Sequence, residues 1–279
     1  MFFLRLLSRL PFSVLYLISD FLFFGGYYVA KYRRSIVWNN LKNSFPEKSH
    51  EELRIIERDY FKNLCDYGVE TLKLITITKE ELSERMHYLN PEVLQPYRNQ
   101  NQSVSLLASH QFNWEWLLTS GSINLPFSVD FVYQKQSSKF FNKFSLTGRS
   151  RFGAYGIERS QTAREAIKRK DVVRSIAIVA DQFPRFEKKY WTNFLTQETA
   201  FFSGIGQLAV ITQYPVFFGS LKKIKRGYYE AKLIPVSVPP YEKGSEIVVD
   251  SYAKITEKLI RESPDNWLWS HDRWKEKRK

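Results

Sequence analysis

The sequence predicts an α/β protein: a mixed, largely parallel central sheet flanked by helices, led by an N-terminal helical segment that associates with a membrane. Three observations predict it. From Ser103 onward, short apolar runs alternate with stretches of helical length, the pattern of strands covered by helices on both faces. Between Ile36 and the residues before Ser103 the apolar spacing is helical. Met1 to Ala30 is the most apolar segment of the chain.

Arg5 and Arg9 precede the run Leu10 to Ala30, and Lys31, Arg33 and Arg34 follow it. The run is about long enough to cross a bilayer. Asp20, Gly25 and Gly26 interrupt it, and positive charge on both sides leaves its orientation open. No small-residue cleavage site follows, so a removed signal peptide is not expected. A signal anchor, an interfacial helix or hairpin, and a buried helix pair all fit. Membrane attachment suits the cations at both ends, which would lie against anionic headgroups.

Ile36 to Pro46 reads as a short amphipathic helix ending before the proline. Ser49-His-Glu-Glu52 is a capping box opening a long helix to about Ile75, with Leu53, Ile56, Tyr60, Leu64, Tyr67 and Leu74 at helical spacing. Thr78-Lys-Glu-Glu81 caps a shorter one. Strands are then expected at Ser103–Ala108, Ser128–Tyr133, Ser175–Ala180, Val216–Leu221 and Tyr228–Val236. Helices are expected at Asn113–Ser120, Ser137–Thr147, Gln161–Arg169, Phe202–Thr212 and Glu246–Glu262. With no repeat or low-complexity linker, residues 1–34 form the membrane-associating segment. Residues 35–279 form one domain, helical over 35–100 and α/β over 101–279.

The 42 Lys and Arg against 29 Asp and Glu give a formal charge of +13. That excess points to an anionic partner such as a membrane surface, an acidic protein or a phosphorylated substrate. The cations are dispersed and the aromatics sit in apolar runs, so nucleic acid is not expected as a partner. Aromatics make up 16% of the chain, which beside many cations suits a membrane interface. Cys65, the single cysteine, sits on a helix face and is expected as a buried thiol. The four histidines form no metal-binding spacing, and no metal or other cofactor is expected.

The chemistry centres on Ser103 to Leu118, where an apolar strand ends in Ser109 and His110 and Glu115 follows. Ser109 or Asn113 can cap the helix beyond. Positions five apart sit about 140° around one helix, so His110 and Glu115 meet only across a strand-to-helix elbow. There an imidazole serves as general base, with the carboxylate orienting it or gripping substrate. A polar residue at a strand tip is the usual placement of an α/β active site. Arg149 and Arg151, among small residues after a helix, can fork onto phosphate or carboxylate oxygens. Asp181 and Gln182 follow an apolar strand and share the rim of His110 if the strands are parallel. Gly204-Ile-Gly206 opens a helix, but the residues before Phe201 do not read as a strand, which argues against a dinucleotide site. Trp267 to Lys275 reads as aromatic packing followed by a cationic tail.

In order, His110-Gln-Phe-Asn-Trp-Glu115, Val132-Tyr-Gln-Lys with Arg149 and Arg151, Ala180-Asp-Gln182, Phe201 to Ala209, and Trp269-Ser-His-Asp-Arg-Trp-Lys275 resemble the late acyltransferases of lipid A biosynthesis. These belong to the lysophospholipid acyltransferase superfamily, and the resemblance covers nearly the whole chain. It implies a glycerol-3-phosphate acyltransferase-like fold and an O-acyltransferase of the bacterial inner membrane, its site facing the cytoplasm. The enzyme would move a fatty acyl chain from acyl carrier protein, or from coenzyme A, to a hydroxyl of a lipid A precursor or related glycolipid. His110 would be the general base and Glu115 would hold its orientation. Arg149 or Arg151 would stabilise the oxyanion or bind acceptor phosphate, with Asp181 and Gln182 in support. Gln134 and Lys135 depart from the arginine and proline common at that point in the family, and the usual Asn-Pro is missing after them. The acceptor therefore stays open to a lyso-aminolipid or other lyso-lipid. A catalytically degenerate lipid-binding membrane protein is the alternative.

Overall fold

A computed structural model describes residues 2–184 and 188–275. The strands are β1 Met86–Tyr88, β2 Val104–Ala108, β3 Ser128–Tyr133, β4 Tyr155–Glu158, β5 Arg174–Val179, β6 Lys189–Phe194, β7 Gln197–Phe202, β8 Val216–Lys225 and β9 Tyr228–Ser237. Among the described residues the main sheet has seven strands in the order β1-β9-β8-β2-β5-β3-β4. Its neighbours are parallel except for the antiparallel pair β8–β9. The mixed, largely parallel sheet is therefore as the alternating pattern predicts.

Around it lie α1 Phe2–Leu7, α2 Phe12–Phe23, α3 Arg34–Ser44, α4 His50–Lys73, α5 Lys79–Arg85, α6 Gln95–Asn99, α7 Trp114–Asn124, α8 Lys139–Arg149, α9 Thr162–Lys168, α10 Gly204–Thr212 and α11 Ile247–Glu262. Local chemistry sets several starts. Ser49 Oγ accepts from the Glu52 amide while Glu52 reaches back to the Ser49 amide, closing the capping box of α4. Thr78 caps α5 and Asn113 caps α7 through their side-chain oxygens. Helix α4 buries Leu53, Tyr60, Phe61 and Val69.

Four strands escape the sequence reading, each for a local reason. β1 is too short to show alternation, and β4 is an edge strand with a glycine inside. β6 and β7 form a separate antiparallel hairpin. Its turn places Leu195 and Thr196 at positive φ, without the Asn-Gly signal such a turn usually carries. Leu195 is fully buried, so packing holds a conformation that local preference would not choose. The stretch before Phe201 is thus a strand after all. It pairs only with β6, outside the main sheet, so the Gly204 start of α10 is not the turn of a parallel βαβ unit.

The apolar N-terminus forms α2 followed by a π-helical turn, Phe24–Val29. Over Phe12–Val29 mean hydropathy is 1.4 and only 22% of the stretch is buried, which makes it a candidate membrane segment. Its inner side packs on α4: Phe12, Leu15 and Tyr27 are buried, and Ser19 bonds Asp66 at 2.8 Å. Asp20, which interrupts the apolar run, pairs with Arg226 at 2.6 Å. Cys65 is half-buried on α4, and burial pushes its thiol up to about 11.

Candidate active site

The register of two parallel strands builds the site. In the β2–β5 ladder Ala108 stands beside Val179. Two residues past each strand end come His110 and Asp181, so the same register carries these side chains to each other. His110 Nδ1 lies 2.6 Å from Asp181 Oδ1, and the His110 amide donates to Oδ2 at 2.8 Å. Trp267 Nε1 donates to the same Oδ2 at 2.6 Å. Just below, the Tyr252 hydroxyl from α11 accepts from the Ala180 amide and donates to the Ala108 carbonyl. It joins the two strand ends where the ladder stops.

Asp181 is fully buried. Burial alone would raise its pKa, but the charge of protonated His110 and hydrogen bonds from His110 and Trp267 bring it below the ordinary carboxylate value. An ionised Asp181 can only accept, so Nδ1 of His110 is the donor in that bond and Nε2 is the ring nitrogen on the side of Gln182. Gln182 Nε2 lies 3.2 Å from that nitrogen and donates to it.

Glu115 is also at the site, with a different partner from the one expected. Arg149, at the end of α8, grips it from Nε at 2.7 Å and from Nη2 at 2.5 Å, a bidentate fork. Trp114 Nε1 adds a third bond at 3.1 Å. Burial would raise the Glu115 pKa; the Arg149 charge and hydrogen bonds outweigh it and bring it down. Arg149 is pulled up in turn: burial opposes its charge and Glu115 more than offsets that. The hydrogen bond to the His110 ring expected of Glu115 is thus made by Asp181. Glu115 sits in the first turn of α7, past the elbow, where α8 and not the strand tip supplies the nearest donors.

Arg151 does not join the site. Its Nη1 donates to the Leu74 carbonyl at 2.9 Å. Two residues along a helix end turn a side chain by about 200°, so Arg149 and Arg151 point apart. Of the two arginines only Arg149 lines the cavity described next.

His110, Glu115, Arg149 and Gln182 all line a cavity of about 1140 Å³. Its walls come from the carboxyl ends of β2, β3 and β5 and from α7, α8 and α10. One end is apolar, among Leu117, Gly121, Leu125, Val129 and Tyr88. Val132 to Lys135, Phe202, Gly204, Gln207, Leu268 and His271 also line it, so every motif block singled out in the sequence supplies part of the wall. Trp267 does more than the aromatic packing expected of its segment, since it donates to the carboxylate that holds His110. It sits in the C-terminal segment, which runs along the His110 loop. Leu268 donates to the His110 carbonyl, Phe112 donates to the Asn266 carbonyl, and Gln111 bridges to Trp267. Behind the elbow, Glu70 of α4 accepts from Asn113 and Tyr229. Fully buried, it is held above the ordinary carboxylate value, because burial outweighs those hydrogen bonds. No short-range signal marks either Trp267 or Glu70, since their partners lie far away in the chain.

The arrangement is an imidazole held by a carboxylate and an arginine held by another, both in the wall of one cavity. It can remove a proton from a hydroxyl and stabilise a developing oxyanion. A comparison with curated proteins finds no match. Residues 1–276 match the family described as bacterial lipid A biosynthesis acyltransferase, and the chain belongs to that family.

Proposed function

We propose that this protein moves a fatty acyl chain from an acyl thioester to a hydroxyl of a lipid A precursor or related glycolipid. The donor is acyl carrier protein or coenzyme A, and the reaction takes place at the cytoplasmic face of a bacterial inner membrane. The observation that carries the reading is His110, held by Asp181 on one ring nitrogen, beside a cavity of about 1140 Å³ with many apolar lining residues, room enough for an acyl chain. His110 Nε2 takes the proton of the acceptor hydroxyl, displacing the Gln182 amide. The hydroxyl oxygen attacks the thioester carbonyl carbon and the oxyanion forms beside Arg149. As the C–S bond breaks, protonated His110 returns the proton to the leaving thiolate, which departs as a thiol. The ester product and the thiol account for every atom, and no covalent enzyme intermediate is needed. Glu115 fixes the Arg149 guanidinium so that it faces the reacting carbonyl or an acceptor phosphate.

The family match, the formal charge of +13 and the exposed apolar helix at Phe12–Val29 support the setting. An acidic carrier and a phosphorylated glycolipid both suit a cationic protein. The test is direct. Purified protein is given acyl carrier protein loaded with a fatty acid, or acyl-coenzyme A, together with lipid A precursor, and products are read by mass spectrometry. One added acyl mass is expected, with a loss of about 10²–10⁴-fold for His110→Ala. Full turnover by a folded His110→Ala protein would refute the reading. Lipid binding without transfer from either donor would make the protein a lipid binder.

A further inference from the structure

Helix α8 and the loop before it are largely exposed at the rim of the cavity. Gly148 is the helix's only buried residue, and the chain is exposed without a break from Gln134 to Phe141. Phe140 and Phe141 are 44% and 57% exposed and pack edge to face on each other. Lys135, Lys139 and Lys143 are exposed around them, and no acidic residue occurs between Lys135 and Arg149. The other side of the helix, through Phe141, Phe144, Ser145 and Arg149, lines the cavity.

Adjacent aromatic rings ringed by lysines, on a helix that buries almost nothing in its own domain, have the chemistry of an interfacial helix. The rings enter the upper acyl region while the ammonium groups stay with anionic phosphates. The phenylalanines need an apolar partner next to an anionic one, and an anionic bilayer supplies both in layers at the matching depth. We propose that α8 is a second membrane contact, seated in the headgroup layer of an anionic bilayer. Lipid then enters the cavity along the Phe141–Arg149 side without crossing water. The inference rests on the membrane-bound acyl-transfer reading, and it explains why the arginine that holds Glu115 ends this particular helix.

The experiment uses the full chain with Cys65→Ser and Phe140→Cys, labelled with an environment-sensitive fluorophore. A second label site, Lys139→Cys, keeps both rings. Vesicles of phosphatidylglycerol with phosphatidylethanolamine are compared with pure phosphatidylcholine, each with nitroxide-bearing acyl chains as quencher. A blue shift and quenching are expected on the anionic vesicles, weakened by salt. They should shrink when Lys135→Glu and Lys143→Glu are added, although the N-terminal segment still carries the protein to the vesicle. Unchanged emission on anionic vesicles overturns the proposal. A shift that needs acyl carrier protein instead of lipid also overturns it, and makes α8 a donor-docking face. Because the readout is label depth and not turnover, a failed transfer assay and a failed α8 contact give different results.

Discussion

At the residue scale, two buried carboxylates do different work although both have lowered pKa values. Asp181 accepts from Nδ1 and the amide of His110 and from Trp267; Glu115 is clasped by Arg149. Replacing Asp181 with Asn puts an amide donor against the ring and favours the tautomer protonated on Nε2, which is no base. Asp181→Asn should therefore lose about 10²–10⁴-fold in kcat and change the pH–rate profile. Glu115→Gln should lower the rate with a smaller change in that profile, since Glu115 reaches His110 only through its charge and is hydrogen-bonded to Arg149. Matching profile changes in both variants would contradict this division of roles. Acid stability follows from the same pair. Their folded pKa values lie below the ordinary 3.8 and 4.5, so the ionised forms stabilise the fold at any pH above that range. The contribution is lost as pH falls through the lowered folded values. Glu115→Gln, which leaves Arg149 buried without its partner, should cost about 3 kcal/mol near neutral pH. The gap to the native protein should narrow in denaturant titrations below about pH 4, near the ordinary carboxylate value.

At the scale of the element, α7 joins cap, site and cavity. Asn113 accepts from the Trp116 amide and donates to Glu70. Asn113→Ala should cost about 1 kcal/mol for the cap, and more for the Glu70 oxygen left without its donor. It should also lower kcat by loosening the turn that carries Glu115; thermal unfolding and initial rates check both. Further along, a Cβ on Gly121 would stand 3.2 Å from the Tyr88 hydroxyl and 3.4 Å from Leu125, at the apolar end of the cavity. Gly121→Leu should fill that end and shift preference toward shorter acyl thioesters. Each excluded methylene is worth about 0.8 kcal/mol, roughly fourfold in affinity. Competition among donors of different length would show it, and an unchanged ranking would place the chain elsewhere.

At the scale of the whole molecule, the N-terminal segment is woven into the domain behind it. Tyr27 and Arg34 bond the buried Glu57, Tyr16 bonds Glu70, Ser19 bonds Asp66, and Lys73 donates to the Leu10 carbonyl. Phe12, Leu15 and Tyr27 are in the core, each worth about 1.5–3 kcal/mol of burial. Residues 31–279 made alone should therefore be markedly less stable than the full chain and open to limited proteolysis, beyond any loss of membrane affinity. Equal stability with and without residues 1–30 would show that this packing contributes nothing.

Whatever depends on neighbours along the chain was legible in the residues alone. The capping box at Ser49, the cap at Thr78, a cap at Ser109 or Asn113, the alternating strands and helices, the apolar N-terminus, and the motif blocks around His110, Asp181 and Arg149 are all local patterns. Tertiary structure alone decided which of these meet. His110 faces Asp181 because β2 lies beside β5 in parallel register, with all of β3 and β4 between them in the chain. Strand order is a property of the whole packed sheet, and no spacing between two residues encodes it. For the same reason Glu115, five residues from His110, found its partner on α8, and Trp267 came back from the far end of the chain to hold the carboxylate.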